Sequence, residues 1–196
     1  RLRDLQAKQR EAARLVKVLP IVSPVPAAMA VAEVEKPKDQ PIRIGGVENA
    51  KGEIAPRAVP PIMGDPTNEA FAIPAEQSGR LQLARWLVDV DAGAGPLLAR
   101  VTVNRVWNQL FVQPIVATVD NFGRSGDEPR HAKLLECLAT SFVDSGWSVK
   151  RLVRQIVLTD TYQLASTPDE RAARVDPENS LYWRSRPRRL DAEALR

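Results

Sequence analysis

The spacing of hydrophobic positions along the chain changes near Ser78. After that residue, apolar side chains recur every three or four positions, which is the period of an amphipathic helix. Before it, prolines and glycines interrupt the apolar runs at short intervals. The pattern therefore predicts an irregular, proline-rich first part and a helical second part.

Two helices are predicted between Ser78 and Phe111. The first begins near Ser78 and ends at the glycine-containing break of residues 91–95. The second has Pro96 in its first turn, where proline is favoured, and runs from Leu97 to Phe111. It is apolar nearly all round, which is typical of a helix buried in the centre of a domain. Leu81, Ala84, Leu87 and Val88 line one side of the first helix, with Leu83 and Trp86 adjoining.

A helical hairpin is predicted over His131–Thr161. Apolar residues recur at helical spacing on both sides of a tight turn at Ser145–Trp147, and Ser148 is suited to cap the second helix. The polar stretch Ser166–Asn179 carries no predicted element. A final helix is predicted to begin near Leu190, and we expect the chain to be cut within it.

The first part of the chain predicts short elements separated by turns. Arg1–Leu19 has apolar residues at helical spacing among charged ones and is predicted to form an amphipathic helix. Ala28–Val34 and Pro41–Ile44 are candidate strands, whereas Gly45–Gly46 and Lys51–Gly52 are predicted turns.

These elements together predict a mainly α protein. We expect a compact helical domain of about five helices at residues 78–196, preceded at residues 1–77 by a proline-rich arm with one or two short strands. The chain begins at Arg1 rather than at methionine, so we expect a piece of a longer protein.

A long polar connection, Val112–Pro129, joins the second and third predicted helices. Ordered loops of this length are uncommon and often bind a ligand, so this loop is the best candidate location for a site. Asn104 and Arg105 of the central helix either hold the loop at Asp120 by charge-assisted hydrogen bonds or lie on a solvated edge. Asn121, beside Asp120, is a further candidate binding residue. A structural role is favoured for this group over a ligand site.

Charge gives little direction towards a partner. The net charge of +4 comes from 28 basic and 24 acidic residues spread through the chain. This charge composition does not require a nucleic-acid partner. Arginine outnumbers lysine, which fits either a GC-rich genome or bidentate recognition of anions.

One basic stretch, Tyr182–Arg189, is interleaved with aromatic residues. It either binds an anionic partner or stacks an arginine on Trp183 and pairs with Asp191 and Glu193. The second alternative is favoured, because binding of a polyanion predicts a larger positive charge. The candidate binding residues of this stretch are Arg184, Arg186, Arg188 and Arg189.

No standard catalytic or metal-binding motif is present. His131 and Cys137 are the only histidine and cysteine, their spacing fits no zinc or haem motif, and Cys137 is expected to be a small core residue. Gly123–Gly126 lacks the second glycine of a nucleophile elbow, and Asp65–Glu69 lacks the ligand spacing of a calcium loop, so both are predicted turns. No catalytic residue and no metal ligand is predicted.

Ordered motifs across the helical part resemble those of one protein family. They are Ser78-Gly79-Arg80-Leu81, Val103-Asn104-Arg105-Val106-Trp107, Asp120-Asn121-Phe122-Gly123, Ser145-Gly146-Trp147-Ser148, Asp176-Pro177-Glu178-Asn179 and Arg188-Arg189-Leu190. From near Pro20 onward the chain is similar to the planctomycete domain-of-unknown-function 1553 family. It departs from the family pattern at Gln109–Val112, which replaces a His-His-Phe-Gly-like stretch and argues against metal chemistry in this member.

This resemblance implies the C-terminal part of a large exported protein, often with a cytochrome c domain upstream. Haem would then belong to that upstream domain, and no cofactor is expected in this chain. The implied location is periplasmic or otherwise extracytoplasmic. The implied partners are other domains of the same polypeptide or separate proteins.

The leading hypothesis is therefore a noncatalytic scaffold or interaction module. One alternative is an extracytoplasmic polysaccharide-processing hydrolase that uses Asp120 and Asp127 as acid and base. A weaker alternative is anion or nucleic-acid binding through the arginines of residues 184–189.

Overall fold

The computed structural model describes Lys8, Arg10, Glu11, Asp65 and residues 30–60 and 67–189. The chain divides into two compact units, Arg1–Val34 and Glu35–Arg196. In the first, Lys8, Arg10 and Glu11 are helical. Most of the amphipathic helix predicted over Arg1–Leu19 lies outside the described residues, as does the final helix predicted near Leu190.

The strand predicted over Ala28–Val34 is wrong for its described part. Residues 30–34 form no strand, and Val31 and Val34 are exposed. Strand propensity alone does not make a strand, because the backbone must also pair with a neighbouring chain segment.

The second unit begins with a β-hairpin. Strand β1 (Gln40–Arg43) pairs antiparallel with β2 (Lys51–Ala55), and Pro41 lies opposite Ile54. The predicted strand near Pro41 and the turn at Gly45–Gly46 are confirmed, since both glycines have positive φ. The turn predicted at Lys51–Gly52 is wrong, because Lys51 pairs with Arg43 and the chain has already reversed before it.

The rest of the described unit is mainly helical, which confirms the predicted fold class. Between the hairpin and the first helix, only the single 3-10 turn of Glu69–Phe71 interrupts the described coil. The helices are α1 (Arg80–Val88), α2 (Gly95–Phe111), α3 (Ala132–Asp144), α4 (Val149–Val157) and α5 (Glu170–Val175).

Helix α2 lies at the centre of the main core, as its apolar sequence predicts. Its Ala99, Val103 and Trp107 are buried. Helices α3 and α4 pack on α2, and the connection after α2 adds Ile115 and Val116 to the same core. The buried residues that α3 and α4 contribute are Leu135, Leu138, Ala139, Phe142, Leu152 and Ile156.

The predicted hairpin of α3 and α4 is confirmed. Gly146 and Trp147 both adopt left-handed backbone conformations, and the Trp147 N–H donates to the Phe142 carbonyl at 3.0 Å. The Ser148 hydroxyl accepts from the Arg151 N–H at 3.3 Å and caps α4.

The side of α1 on which its leucines recur is not the side that is buried. Gln82 and Trp86 are its buried residues, whereas Leu81, Leu87 and Val88 are exposed. Trp86 enters a second small core with Val59, Phe71 and Ala94. A tryptophan buries more apolar area than a leucine, so the position of Trp86 sets the rotation of the helix.

Helix α5 lies in the polar stretch Ser166–Asn179, for which no element was predicted. The Asp169 carboxylate accepts from the Ala172 N–H at 2.8 Å and caps this helix. No residue of α5 is buried, so hydrophobic periodicity carries no signal for it. The capping aspartate followed by Glu170 was the available signal.

Candidate functional site

Asn104 holds the start of the long loop to the central helix. Its side chain is fully buried, with 0% exposed. Its amide Nδ2 donates to the Val116 carbonyl at 3.0 Å, and its Oδ1 accepts from the Val116 N–H at 2.9 Å. Asn104 therefore satisfies both backbone groups of Val116, which a buried loop residue otherwise leaves unpaired. Of the two alternatives for Asn104, the solvated edge is wrong.

Arg105 and Asp120 meet at the surface, 3.4 Å apart. The Asp120 side chain is 92% exposed, so the pair resembles the solvent-screened salt bridges that contribute little to stability. Asn121 donates from its amide to the Ser125 hydroxyl at 3.3 Å. The four loop candidates are thus brought together in one region, with their described contacts made to the protein itself.

The tip of the loop is closed by Thr118. Its hydroxyl donates to the Asn121 carbonyl at 3.0 Å and accepts from the Asp127 N–H at 2.9 Å. Gly126 lies so close to this turn that a Cβ added there would come within 2.0 Å of the Asn121 carbonyl oxygen. The loop is therefore an ordered structure built around its own backbone.

A second ordered segment follows α5 and starts at Asp176. Its carboxylate accepts from the backbone N–H groups of Leu181 and Ser180, at 2.7 and 2.8 Å. These hydrogen bonds, that of Leu181 first, hold the pKa of the Asp176 carboxyl below its ordinary value, and the Arg130 charge acts in the same direction. Asp176 thus fixes the turn that leads into the basic stretch.

Tyr182 joins this segment to the central helix. Its hydroxyl accepts from the Trp107 indole N–H at 3.0 Å and donates to the Gln113 carbonyl at 3.2 Å. Burial raises the pKa of the Tyr182 phenol, because the phenolate would lose its hydration. The His131 Nε2 lies 3.0 Å from the Ser180 carbonyl and donates to it in the tautomer that protonates this nitrogen.

Three of the four candidate arginines of the basic stretch contact other residues of the chain. The guanidinium of Arg184 lies 4.9 Å from the centre of the Trp183 ring, as the stacking alternative predicts. Arg186 donates to the Glu178 carbonyl, and Arg188 donates to the Gln109 carbonyl at 2.8 Å. Arg189 is exposed. The predicted partners Asp191 and Glu193 lie outside the described residues, and binding by these arginines stays a prediction.

A cleft that the sequence did not indicate lies between α3, α4 and the Tyr182 segment. Its volume is about 390 Å³, within the range of small-molecule and side-chain pockets. His131 and Cys137, the only histidine and cysteine of the chain, both line it. Cys137 is exposed, so its expected place in the core is wrong: Leu135 and Leu138 occupy the buried positions around it.

This cleft, here called the α3–α4 cleft, has a mostly apolar floor. Two polar groups there contact the protein itself, since the Trp107 indole N–H donates to the Tyr182 hydroxyl and the His131 Nε2 lies 3.0 Å from the Ser180 carbonyl. The lining residues are Trp107, His131, Leu134, Cys137, Leu138, Gln155, Ile156, Thr159, Thr161, Leu181 and Tyr182. Periodicity misses the cleft because its walls come from segments distant in sequence, as the 49 residues between His131 and Ser180 show.

Among the described residues, no three His, Cys, Asp or Glu side chains are grouped so that they hold a metal ion. The carboxylate of Asp65 accepts from the backbone N–H and hydroxyl of Thr67, at 2.8 and 2.6 Å, which is the geometry of an Asx turn. No helix in the described ranges has the length and apolar character needed to cross a bilayer.

Comparison with known proteins gives a family and no relative of known activity. No curated protein and no solved structure matches the chain. A family model, PSD1, described as a protein of unknown function (DUF1553), matches residues 79–196, which is more than half of the chain. The chain therefore belongs to the PSD1 (DUF1553) family.

Proposed function

We propose that this chain is a noncatalytic interaction module of an exported multidomain protein, and that α1 docks against another domain of the same polypeptide. The outward face of α1 carries the proposal. Leu81, Leu87 and Val88 are 52%, 36% and 46% exposed, and Leu83 is 42% exposed. A surface helix normally turns polar residues to solvent, and several large apolar residues exposed on one short helix indicate an interaction site.

Helix α1 is well suited to present this face. Trp86 is only 4% exposed and packs with Phe71 and Ala94, so the inner side of the helix is fixed. The turn after the helix is also fixed, because the Ala94 N–H donates to the Trp86 carbonyl at 2.9 Å. A rigidly mounted apolar face loses little conformational entropy when a partner covers it.

The proposed partner is a domain of the same polypeptide because the family resemblance implies large exported proteins, often with a cytochrome c domain. In this proposal the protein is periplasmic or otherwise extracytoplasmic, and any haem lies on the upstream domain. Interfaces between domains of one chain resemble modest protein–protein interfaces, in which a single exposed helix can take part.

Site-specific photo-cross-linking tests the proposal. A benzophenone amino acid replaces Leu87 in the longer polypeptide, and a matched variant carries it at Glu48, an exposed residue of the hairpin turn. We expect Leu87 to cross-link to peptides of another domain of the same polypeptide and Glu48 to give far fewer such products. Cross-links from Leu87 only to a second copy, or equal patterns at both positions, contradict the proposal.

The hydrolase alternative has less support from the geometry. Asp120 and Asp127 are both exposed, and Asp120 faces the cation of Arg105. The general acid of a glycosidase acts from within a substrate-binding cleft, whereas the Asp120 side chain is 92% exposed and pairs with Arg105. Turnover of a plain or sulfated glycan that is abolished by Asp120→Asn would restore this alternative.

A further inference from the structure

Helix α4 exposes a row of positive charge that no acidic residue neutralises within the described part of the chain. Lys150, Arg151 and Arg154 all face solvent, and α4 itself contains no Asp or Glu. None of the three forms a salt bridge with a carboxylate in the described part of the chain, although Asp144 ends the preceding helix α3 and Asp160 lies in the turn after α4. Lys150 and Arg154 are four residues apart, and like charges at that spacing repel each other on a helix surface.

The charged row borders the α3–α4 cleft. Gln155 lines the cleft, and Arg151 lies one helical turn before it on the same row. The Gln155 Oε1 accepts from the Ser141 hydroxyl at 3.1 Å, which leaves the amide nitrogen at the cleft rim. Charge and cleft therefore form one continuous surface, here called the α4 surface.

The two halves of the α4 surface require different features of one ligand. The charged row favours carboxylates, because the planar arginine fork matches a carboxylate with two hydrogen bonds. The cleft favours an apolar side chain, because its floor is made of Trp107, Leu138 and Ile156 and two of its polar groups contact the protein itself. A ligand that satisfies both carries acidic groups beside an apolar group.

Two other anionic partners fit less well. Insertion into an anionic membrane requires the apolar side of an amphipathic helix, and that side of α4 is used in the core, where Leu152 and Ile156 are 1% exposed. A sulfated glycan or a nucleic-acid backbone matches the cations, but the phosphate or sulfate groups leave the apolar cleft unfilled.

We propose that the α4 surface binds an acidic peptide segment of a partner protein, with its carboxylates on Lys150, Arg151 and Arg154 and one large apolar side chain in the α3–α4 cleft. This inference rests on the proposed role as an interaction module and adds a second surface with a defined partner chemistry. Binding of this kind combines electrostatic steering with one buried anchor.

Fluorescence anisotropy with two labelled peptides tests the proposal directly. Both peptides are glutamate-rich, and one has a central phenylalanine where the other has alanine. We expect the phenylalanine peptide to bind about tenfold more tightly, since an anchor of this kind contributes more than 1 kcal/mol. Raising the salt concentration weakens both peptides, because the charge contacts are exposed. Equal affinity of the two peptides rejects the anchor.

Matched charge reversals test the cations. The pair Lys150→Glu and Arg154→Glu removes exposed side chains that form no hydrogen bond or salt bridge in the described part of the chain. The control pair Arg171→Glu and Arg174→Glu makes the same charge change on exposed positions of α5, where Arg174 forms only a solvent-exposed ion pair with Glu170. We expect about tenfold weaker peptide binding for the α4 pair and less than about twofold for the control. Equal losses in both pairs show that net charge alone is responsible and overturn the assignment to α4.

Cys137 provides a test that needs no substitution. Its exposed thiol lines the cleft, so a bulky maleimide adduct is expected to block the phenylalanine peptide, and the bound peptide is expected to slow maleimide reaction. Heparin and duplex DNA serve as competing ligands. If either binds more tightly than the peptide and the maleimide adduct does not weaken its binding, the surface binds a polyanion and the proposal is rejected. If the acidic peptides do not bind but the photo-reactive residue at position 87 still cross-links to another domain, this inference alone is rejected. If position 87 gives no such cross-links, the proposed function is rejected.

Discussion

At the scale of single residues, buried amides substitute for missing backbone partners in two places. Asn104 pairs with both backbone groups of Val116, and Asn179 pairs in the same way with Arg184, at 2.9 and 3.2 Å. Both asparagines are at most 2% exposed. An asparagine amide offers one donor and one acceptor side by side, so it replaces a strand neighbour for a single residue. The burial of these two asparagines is therefore explained by the backbone segments that their side chains stabilise.

Replacement of Asn104 by alanine tests this role. The substitution leaves the buried N–H and carbonyl of Val116 unpaired, and we expect the free energy of unfolding to fall by roughly 2–4 kcal/mol. Asn108→Ala is the control on the same helix, at a half-buried side chain without a described hydrogen bond, and should cost less than about 1 kcal/mol. Denaturant unfolding measures both, and equal losses would show that Asn104 holds nothing specific.

Asp176 makes the stability depend on pH. Its folded-state pKa is lowered, so the stability it contributes is fully present above the ordinary aspartate pKa of about 3.9 and is lost as the pH falls through the folded value. We expect Asp176→Asn to be less stable at neutral pH and to lose less stability on acidification than the unsubstituted chain. Unfolding curves from neutral to strongly acidic pH measure this, and parallel curves for the two proteins contradict it.

At the scale of elements, most of the helical architecture was predictable because local signals determine it. Pro96 starts α2, and the turn of Gly146 and Trp147 separates α3 from α4. The rotation of α1 was not predictable from its leucines, because one large residue, Trp86, is buried in a core made by segments before and after the helix. Helix α5 was missed because it has no buried face.

Two adjacent positions on α1 test its orientation. Leu87→Ala should lower the free energy of unfolding by no more than about 1 kcal/mol, because Leu87 is 36% exposed and lies outside both buried cores. Trp86→Ala should cost about 3–5 kcal/mol, because it leaves a cavity in the second core. A larger loss for Leu87→Ala than for Trp86→Ala, measured in denaturant, would restore the orientation that periodicity predicts.

The long loop offers a matched pair of glycines. A Cβ at Gly126 would come within 2.0 Å of a backbone oxygen, whereas the nearest atom to a Cβ at Gly123 is 3.8 Å away. Gly126→Ala should therefore destabilise the chain by about 1–3 kcal/mol, and Gly123→Ala should have little effect. Thermal unfolding of the two variants distinguishes them, and identical midpoints would mean that the loop tip is not packed as described.

At the scale of the whole molecule, the candidate surfaces depend on contacts that span the sequence. The hydrogen bond between Trp107 and Tyr182 joins residues 75 positions apart and forms part of the cleft floor. The sequence predicted the loop and the arginines as candidate binding groups. In the structure, most of their described contacts are made to other groups of the same chain. The exposed face of α1 and the α4 surface required knowledge of which side of each helix is buried.

The central claim is that the outward face of α1 is covered in the longer polypeptide. The direct measurement is the maleimide labelling rate of Leu87→Cys in a Cys137→Ser background, compared between residues 1–196 and the longer polypeptide, with Glu48→Cys as the control position. We predict rapid labelling at position 87 in the chain alone, strong protection in the longer polypeptide, and equal labelling at position 48 in both. Equally rapid labelling at position 87 in both proteins would contradict the claim.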